Sequence, residues 1–366
     1  MKIDNAVASL ENVSGYIKKL KDEKTFNFKF TLNSDNKSFT KLSLGPSSYG
    51  LKIYLMLDLI NELSLEEKNK WANYINSFQT SNNKFPENSF IDEDLIKYYE
   101  QNSLQDLFKD TAKKILNNFS ENRYDTHQIK LKKAINAETK QAVSTLYDFG
   151  FKNEKPLPSS MDDHQLLKYL DSLNWNEPWS SGAQFASMCV FSETQNYGRS
   201  VLLYDYITGL LDQNTGTYHS KNSSVSSREK INGSMKVISG LKWINQPIHN
   251  PEKLIDFCLL NEPKDEGCDL VDYIYVLYNC LKESDYKKTE VLNILDKMLE
   301  SLIKLQRNDG GFSYFKQKSQ THYYGVEVTA GLNQSDIHGT LLITWAIILI
   351  LDILTNGDHK YKIIKP

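Results

Sequence analysis

The chain has 366 residues, a formal net charge of −3 and a pI of about 6.2, with 40% hydrophobic and 24% charged residues. This balance is typical of a folded globular protein and excludes a chain that is disordered throughout. It also lacks the excess of basic residues that marks nucleic-acid binders, so we expect no nucleic-acid partner.

The N-terminal segment and the cysteines bear on the compartment of the protein. Residues 1–24 contain no apolar stretch of the kind found in signal peptides. The four cysteines include no Cys-x-x-Cys pair, which argues against a disulfide scaffold or a structural zinc finger. We therefore expect a cytoplasmic protein.

Residues 1–48 are predicted to form an irregular N-terminal segment that packs on one domain spanning residues 1–366. Only residues 26–44 alternate as a strand would, and a short hairpin is expected around Asn33 to Asn36. From residue 50 onward, apolar residues recur with helical periodicity, so the fold class is predicted to be all-α.

The first predicted helix covers residues 50–63. Ser64 and Glu67 then form a capping box, which starts a second helix that ends near Phe78. Further helices are predicted over residues 94–119, 138–149, 163–173, 183–191, 200–211, 251–260, 269–281, 289–305 and 335–354. The apolar run 341–354 is shorter than the roughly 20 residues that span a bilayer and contains Asp352, so it is predicted to be a buried helix.

Three loops resemble one another, each running from a polar residue through turn residues to an aromatic one. They begin at Gln79, Asp212 and Gln306 and end at Phe85, Tyr218 and Phe312, and their starts are 133 and 94 residues apart. These spacings are near multiples of about 45 residues, a period typical of repeated helix pairs that bury their faces against each other.

The loop Gln306-Arg-Asn-Asp-Gly-Gly-Phe312 resembles the Q-x-x-D-G-G-F repeat loop of the terpene cyclase and protein prenyltransferase toroids. The resemblance implies an α/α toroid, a ring of paired helices around a central cavity. The loop itself explains packing, since Asp and Gly make the turn and the aromatic residue seals one repeat on the next. It therefore says little about chemistry.

A first candidate site combines Asp272 with Asp336 and His338. In prenyltransferase β subunits, an aspartate, a cysteine two residues later and a distant histidine hold zinc, and His338 follows Asp272 by 66 residues in a similar context. The position two after Asp272 is Ile274, so Cys268, one helical turn before Asp272, would have to replace the missing cysteine. The resemblance thus implies a possible zinc site of Cys268, Asp272 and His338.

The same residues also allow two interpretations that involve no metal. His338 and its neighbours could simply cap helices. Alternatively, Asp272 or Asp336 could orient His338 for acid/base catalysis.

Two further regions could bind a substrate. Trp175 and Trp179 flank Pro178 just before an apolar helix, where they could line a pocket or fill space, and Gly182 permits close approach. The polar loop from Asp212 to Lys230 carries Tyr218 and His219, and His219 together with Lys236 could contact an anionic substrate.

Three hypotheses about function follow. The resemblance implies an enzyme acting on an isoprenoid or other small, lipid-like molecule, with Trp175, Trp179, Tyr275 and Tyr278 as walls, although the D-x-D-D and D-D-x-x-D motifs of terpene cyclases are absent. Similar toroids act on carbohydrates through carboxylates, for which the candidates are Glu262, Glu266, Asp269 and Asp272. The third hypothesis is a non-catalytic binding or scaffold protein, which the missing cysteine favours.

Overall fold

A computed structural model describes residues 2–33, 39–81, 83–101, 104–119, 125–159, 161–221, 224–263 and 267–366. Within these ranges the chain forms fourteen α-helices and one two-stranded hairpin. The helices are α1 Lys2–Leu20, α2 Leu44–Met56, α3 Leu65–Asn76, α4 Glu93–Glu100, α5 Leu104–Phe119, α6 His127–Asp148, α7 Asp163–Asp171, α8 Pro178–Thr194, α9 Ser200–Thr208, α10 Ser227–Trp243, α11 Pro251–Leu260, α12 Gly267–Leu281, α13 Lys288–Ile303 and α14 Ile337–Leu354. The strands are β1 His322–Tyr323 and β2 Val326–Glu327.

Six of the helices form a closed inner ring. Helices α2, α6, α8, α10, α12 and α14 each pack against the next, and α14 packs against α2. Every residue of α2 and most residues of α12 and α14 are buried, as expected of helices surrounded on all sides. The predicted all-α toroid is therefore confirmed.

The remaining helices lie mainly outside this ring. Helix α1 packs on α13 and α14, α3 on α2 and α6, α9 on α8, and α11 on α12. Because each inner helix follows an outer one, the inner helices run in the same direction, and their N-termini collect at one end of the ring. We call this the N-terminal end.

The predicted irregular segment, residues 1–48, in fact begins with helix α1, so this part of the prediction is wrong. Its buried residues Ala6, Leu10, Val13 and Ile17 recur every three or four positions, which is the pattern of an amphipathic helix. The hairpin predicted around Asn33 to Asn36 falls largely on residues 34–38, outside the described residues. Helix α10 was also missed, whereas the capping box at Ser64 and the buried helix α14 are confirmed.

The similar loops occupy equivalent places in the ring. In each of the loops after α1, α3, α9 and α13, one pair of residues is bridged as in an antiparallel sheet. The pairs, in chain order, are Lys21 and Phe28, Gln79 and Phe90, Leu211 and Tyr218, and Gln306 and Phe312. In the loop after α3, the aromatic residue paired with Gln79 is Phe90, whereas the sequence pattern predicted that this loop ends at Phe85.

The C-terminal segment crosses the opposite end of the ring. The Lys362 amide donates to the Met56 carbonyl at the end of α2, and the Trp243 indole at the end of α10 donates to the Pro366 carbonyl. Residues 356–366 therefore lie across the C-terminal ends of the inner helices. Among the described helices, α14 alone is long and apolar enough to cross a membrane, but most of it is buried inside the ring, as in the core helix of many folded domains.

Candidate functional site

His338 lies in the first turn of α14, at the N-terminal end of the ring. Its Nδ1 is 2.8 Å from Oε1 of Gln320. Because an amide oxygen only accepts hydrogen bonds, Nδ1 carries the proton and Nε2 is left as an acceptor. Burial, together with the positive charge of Lys236, lowers the pKa of His338 to about 3. The ring is therefore neutral at physiological pH.

Two tyrosines enclose the His338 ring. Tyr49 of α2 stacks on it with ring centres 4.9 Å apart, and Tyr314 does so at 5.2 Å. Burial raises the pKa of Tyr49 well above its ordinary value, so its hydroxyl stays protonated. The Tyr314 hydroxyl lies 2.5 Å from the Cys268 sulfur. Residues from α2, α12 and α14 thus meet around one imidazole.

The β1–β2 hairpin places two more tyrosines in this region. At its turn Tyr324 and Gly325 have φ angles of 44° and 83°, a left-handed conformation that is strained for a tyrosine. The Tyr99 hydroxyl holds the turn by donating to the Tyr324 carbonyl at 2.6 Å. Tyr323 packs against Tyr49 edge-on, with ring centres 5.8 Å apart.

Glu138 of α6 lies beside these tyrosines. It is 1% exposed, and within the described residues neither carboxyl oxygen has a hydrogen-bond partner. Burial, reinforced by the negative charge of Asp92, raises the pKa of Glu138 well above its ordinary value. The nearby Tyr323 hydroxyl opposes this shift because it favours the carboxylate, although its geometry toward Glu138 does not meet that of a hydrogen bond. The surroundings of Glu138 therefore favour its neutral, protonated form over the carboxylate.

Asp272 and Lys236 form the charged part of the region. Asp272, on α12, is 3% exposed, and its Oδ1 lies 3.9 Å from Nζ of Lys236. Burial raises the pKa of Asp272 to about 6, with Lys236 acting in the opposite direction. The second carboxyl oxygen has no partner among the described residues. At neutral pH the Asp272 carboxyl is therefore mostly ionised, and much of its hydrogen-bonding capacity is unused.

Several of these groups border open space although they lie deep in the ring. His338 and Lys236 are only half-buried, and Tyr324 is 37% exposed. Within the described ranges, the His338 ring forms one side-chain hydrogen bond, at Nδ1, and the Tyr49 hydroxyl forms none. We call His338, Tyr49, Tyr324, Asp272 and Lys236 the central cluster.

The expected zinc ligands are not gathered into a metal-binding group. No set of three or more His, Cys, Asp or Glu side chains in the described part of the chain has suitable geometry. The Cys268 thiol is engaged with Tyr314, and burial, followed by the charge of Asp272, raises its pKa to about 11. Zinc binds the thiolate, whereas these surroundings favour the protonated thiol.

Asp336, expected to be catalytic, is a structural cap. Its Oδ1 accepts from the Gly339 amide at 2.7 Å, and its Oδ2 accepts from the amides of Tyr314 and Gln320 at 2.8 and 3.1 Å. Burial raises its pKa to about 6 although these donors oppose the shift. Because its oxygens are committed to the backbone, Asp336 fixes the segment that carries Gln320 rather than contacting a substrate.

The predicted walls lie largely away from the central cluster. Trp175 is buried between outer elements, with its indole donating to the Leu170 carbonyl and the Tyr206 hydroxyl, while Trp179 is exposed at the start of α8. Tyr218 is fully buried in its repeat loop beside His249. His219 is 5% exposed and bound to the Ser220 carbonyl rather than free on a rim.

Other predicted residues serve the ring itself. Tyr275 packs on Trp345 with ring centres 4.8 Å apart, and the Tyr278 hydroxyl donates to Asp352, which joins α12 to α14. Asp269 binds Arg228 and Asn232 of α10 at 2.6 and 2.7 Å. Glu262 is exposed on a loop, and Glu266 lies outside the described residues. Of the three proposed sugar-site carboxylates that the structure describes, Asp272 alone joins the central cluster.

The sequence reading missed Tyr49, Glu138, Gln320 and Tyr324. The sequence does contain a signal for Glu138, because its spacing from Ile135 and Ala142 places this acid on the buried face of α6. None existed for Gln320 and Tyr324, because they lie in the long connection between α13 and α14.

No protein-family model matches the chain, and no curated protein sequence matches it. Among solved structures it is similar to a variant of the type II terpene cyclase MstE from Scytonema in complex with its product, merosterolic acid A, at 10% identity over 97% of this chain and 99% of that chain, with a TM-score of 0.43. It is also similar to a polysaccharide lyase at 10% identity over 98% of this chain and 99% of that chain, with a TM-score of 0.45. At these identities and TM-scores, neither similarity bears on the activity of this chain.

Proposed function

We propose that this protein is an enzyme that carries out acid/base chemistry on a polar, anionic, hydroxyl-rich substrate of the carbohydrate class, bound at the N-terminal end of the inner ring. The observation that carries the proposal is the stacking of the His338 and Tyr49 rings, with centres 4.9 Å apart, close enough to Lys236 for its charge to act on His338. Among the described residues, the one side-chain hydrogen bond of the His338 ring is at Nδ1, and the Tyr49 hydroxyl forms none. A proton acceptor, a proton donor and a positive charge are the groups that such chemistry needs.

Each residue would have a separate role. Neutral His338 accepts a proton at Nε2, and Tyr49 or Tyr324 donates one to a leaving oxygen. Lys236 pairs with an anionic group of the substrate. That pairing also removes part of the positive field that lowers the pKa of His338, so the bound substrate makes the imidazole a stronger base.

The polar character of the cluster favours this class over an isoprenoid. A carbocation formed beside Lys236 would be destabilised by the like charge. Glu138, a buried acid with a raised pKa, is a weak acid and is poorly suited to protonate an alkene. The isoprenoid hypothesis remains the second candidate, because the aromatic rings of Tyr49 and Tyr314 lie in the same region, stacked on His338.

A substrate panel tests the proposal. Purified protein is incubated with uronate-containing polysaccharides, neutral polysaccharides and polyprenyl diphosphates, and products are identified by mass spectrometry. We expect turnover of a uronate-containing substrate, reduced about 100-fold or more in His338→Ala and Tyr49→Phe. Tyr98→Phe, which changes an exposed tyrosine on α4, is the matched control and retains activity.

Two results would contradict the proposal. Turnover confined to polyprenyl substrates, with the same dependence on His338, would favour the second candidate. Turnover of a sugar substrate that is unchanged in both central variants would move the active site elsewhere on the chain.

A further inference from the structure

Helix α5 is attached to the ring by its polar side. A carboxylate oxygen of Asp110 accepts a hydrogen bond from the backbone amide of His127 at 2.9 Å, and Nζ of Lys113 donates to the Asp125 carbonyl at 3.0 Å. The side chains of Asp110 and Lys113 are 15% and 27% exposed, so this side of the helix faces the protein. Among the helices that the structure describes, none packs extensively on α5. Polar contacts with the start of α6 therefore hold this helix in place.

The apolar side of α5 faces outward. Phe108, Ile115 and Leu116 are 76%, 54% and 50% exposed. Phe108 and Ile115 are seven positions apart and so lie on one face of the helix, with Leu116 beside them. A helix of a folded domain normally buries such a face against the core, whereas an exposed apolar surface marks an interaction site. We call these three residues the apolar ridge.

Lysines border the apolar ridge on both sides. At about 100° per residue, Lys109 and Lys114 lie roughly 110° to either side of the line through Phe108 and Ile115. Both lysines are exposed, whereas Asp110 is turned toward α6. An exposed apolar stripe with basic edges is the pattern of helices that lie in the surface of an anionic bilayer. The apolar side chains enter the acyl boundary there, and the lysines extend to the lipid headgroups.

The same charges disfavour pairing with a second copy of the chain. Two antiparallel helices related by a two-fold axis bring each edge of one helix against the same edge of the other. The edge with Lys109 would meet its own copy, and so would the edge with Lys114. Like charges would therefore face each other on both sides of the interface.

The first turns of α6 extend the same composition beyond one helix. Ile129 is 40% exposed, and Lys130 and Lys132 are exposed as well. The contact between Asp110 and His127 places this part of α6 beside α5. A convex surface wider than one helix suits a deformable bilayer better than a groove shaped to hold a single helix.

We propose that α5 and the first turns of α6 form a membrane-docking surface that binds reversibly to anionic lipid bilayers. The His127 ring packs edge-on against Tyr99, with ring centres 6.1 Å apart, and the Tyr99 hydroxyl donates to the Tyr324 carbonyl. Docking would therefore bring the N-terminal end of the ring, with the central cluster, close to the bilayer surface. The inference goes beyond the proposed function and does not depend on it.

Vesicle co-sedimentation of the full chain tests the surface. Vesicles of phosphatidylcholine alone are compared with vesicles that also contain about 30% phosphatidylserine, over a range of lipid concentrations. We expect binding to the anionic vesicles that is about 10-fold or more tighter than to the neutral ones and is weakened by salt. Ile115→Ser should weaken it by about 10-fold, because the isoleucine would no longer leave water. Val201→Ser, at an exposed β-branched residue of α9, is the matched control and binds as wild type.

Charge variants test the basic edges separately. Lys109→Gln combined with Lys114→Gln is expected to weaken binding to the anionic vesicles by about 10-fold or more, since each lysine contributes roughly 1 kcal/mol near such a surface. Binding to the neutral vesicles should not change. Lys297→Gln, at an exposed lysine of α13, is the matched control. Melting temperatures check that every variant folds, and Phe108→Ser replaces Ile115→Ser if the latter does not.

Three results would overturn the proposal: no binding to either kind of vesicle, equal binding to both, or binding that is unchanged in Ile115→Ser and Phe108→Ser. Sedimentation velocity identifies pairing of two copies. A concentration-dependent dimer that is lost in Ile115→Ser, without vesicle binding, would assign the apolar ridge to self-association instead. None of these measurements uses turnover, so failure of the proposed function and failure of the docking surface are distinguishable.

Discussion

Gln320 fixes the tautomer of His338, since its Oε1 accepts a hydrogen bond from Nδ1 at 2.8 Å. The glutamine is itself held in place, because its backbone amide donates to Asp336, the cap of α14. The cap, the glutamine and the imidazole form one chain of contacts that holds the ring in place and leaves Nε2 as its hydrogen-bond acceptor.

Replacing Gln320 by glutamate would put a carboxylate against Nδ1. We expect the pKa of His338, about 3 in the native protein, to rise by roughly 1 to 3 units because the negative charge stabilises the imidazolium. Proton NMR titration of the histidine ring signals measures the shift, with His338→Ala assigning the signal. Gln320→Ala is the control for loss of the hydrogen bond alone. An unchanged titration in Gln320→Glu would show that the two side chains are not in contact in solution.

Gly45 and Gly15 provide a matched pair of helical glycines. A Cβ at Gly45, in the first turn of α2, would overlap the ring and hydroxyl of Tyr323, whereas one at Gly15 of α1 would meet nothing within 4 Å. We expect Gly45→Ala to displace the hairpin and cost about 1 to 3 kcal/mol. Gly15→Ala should stabilise by up to about 1 kcal/mol through helix propensity. Urea denaturation measures the free energy of unfolding of both variants. Equal changes in the two variants would refute this account of the packing.

Asp336 and Asp162 both cap helices, but with different burial. Asp336→Ala would leave three buried backbone amides without their acceptor, and we expect a loss of about 3 kcal/mol or more. Asp162→Ala removes an exposed cap of α7 and should cost about 1 kcal/mol. Equilibrium unfolding of both variants gives the comparison. If the free energy of unfolding falls no more in Asp336→Ala than in Asp162→Ala, the additional hydrogen bonds of Asp336 contribute little to stability.

Glu138 should make stability depend on pH. Its pKa in the folded protein is raised, so as pH increases above the ordinary value of 4.5 the unfolded chain loses this proton while the folded chain keeps it. Stability from this group is present below that pH and is lost as pH rises toward the folded pKa. Glu138→Gln removes the effect, so its stability relative to wild type should be greater at pH 8 than at pH 4. The exposed Glu262→Gln is the control, and an advantage independent of pH would argue against a buried, protonated Glu138.

The fold could be predicted from the sequence because one repeat loop, Gln306 to Phe312, kept its turn residues. Helix α10 was missed because its glycines lower helix propensity. These glycines have a packing role: a Cβ at Gly233 would lie 2.6 Å from Pro178 Cβ, and one at Gly240 would lie 3.1 Å from Cα of Ala186. The glycines that let α10 pack closely against α8, a contact that Gly182 also suggested, are thus the residues that weaken the helical pattern of α10 in the sequence.

The site could be predicted only in part. His338 and Asp272 were found because each lies on an inner helix in a context similar to a known motif. Tyr49 was not, since helical periodicity cannot show which face of a helix points into the ring when, as in α2, nearly every side of the helix is buried. Trp175 and Tyr218 were chosen for their residue type, and both are packed into the ring wall.

The packing of α14 on α2 has a consequence for how the domain comes apart. In an open array of helix pairs the terminal units have one neighbour each and fray first. Here the array has no terminal unit, so opening any one seam must bend the helices on both sides of it. Hydrogen exchange of the inner helices is therefore expected to occur mainly through opening of the whole domain, at a single common free energy.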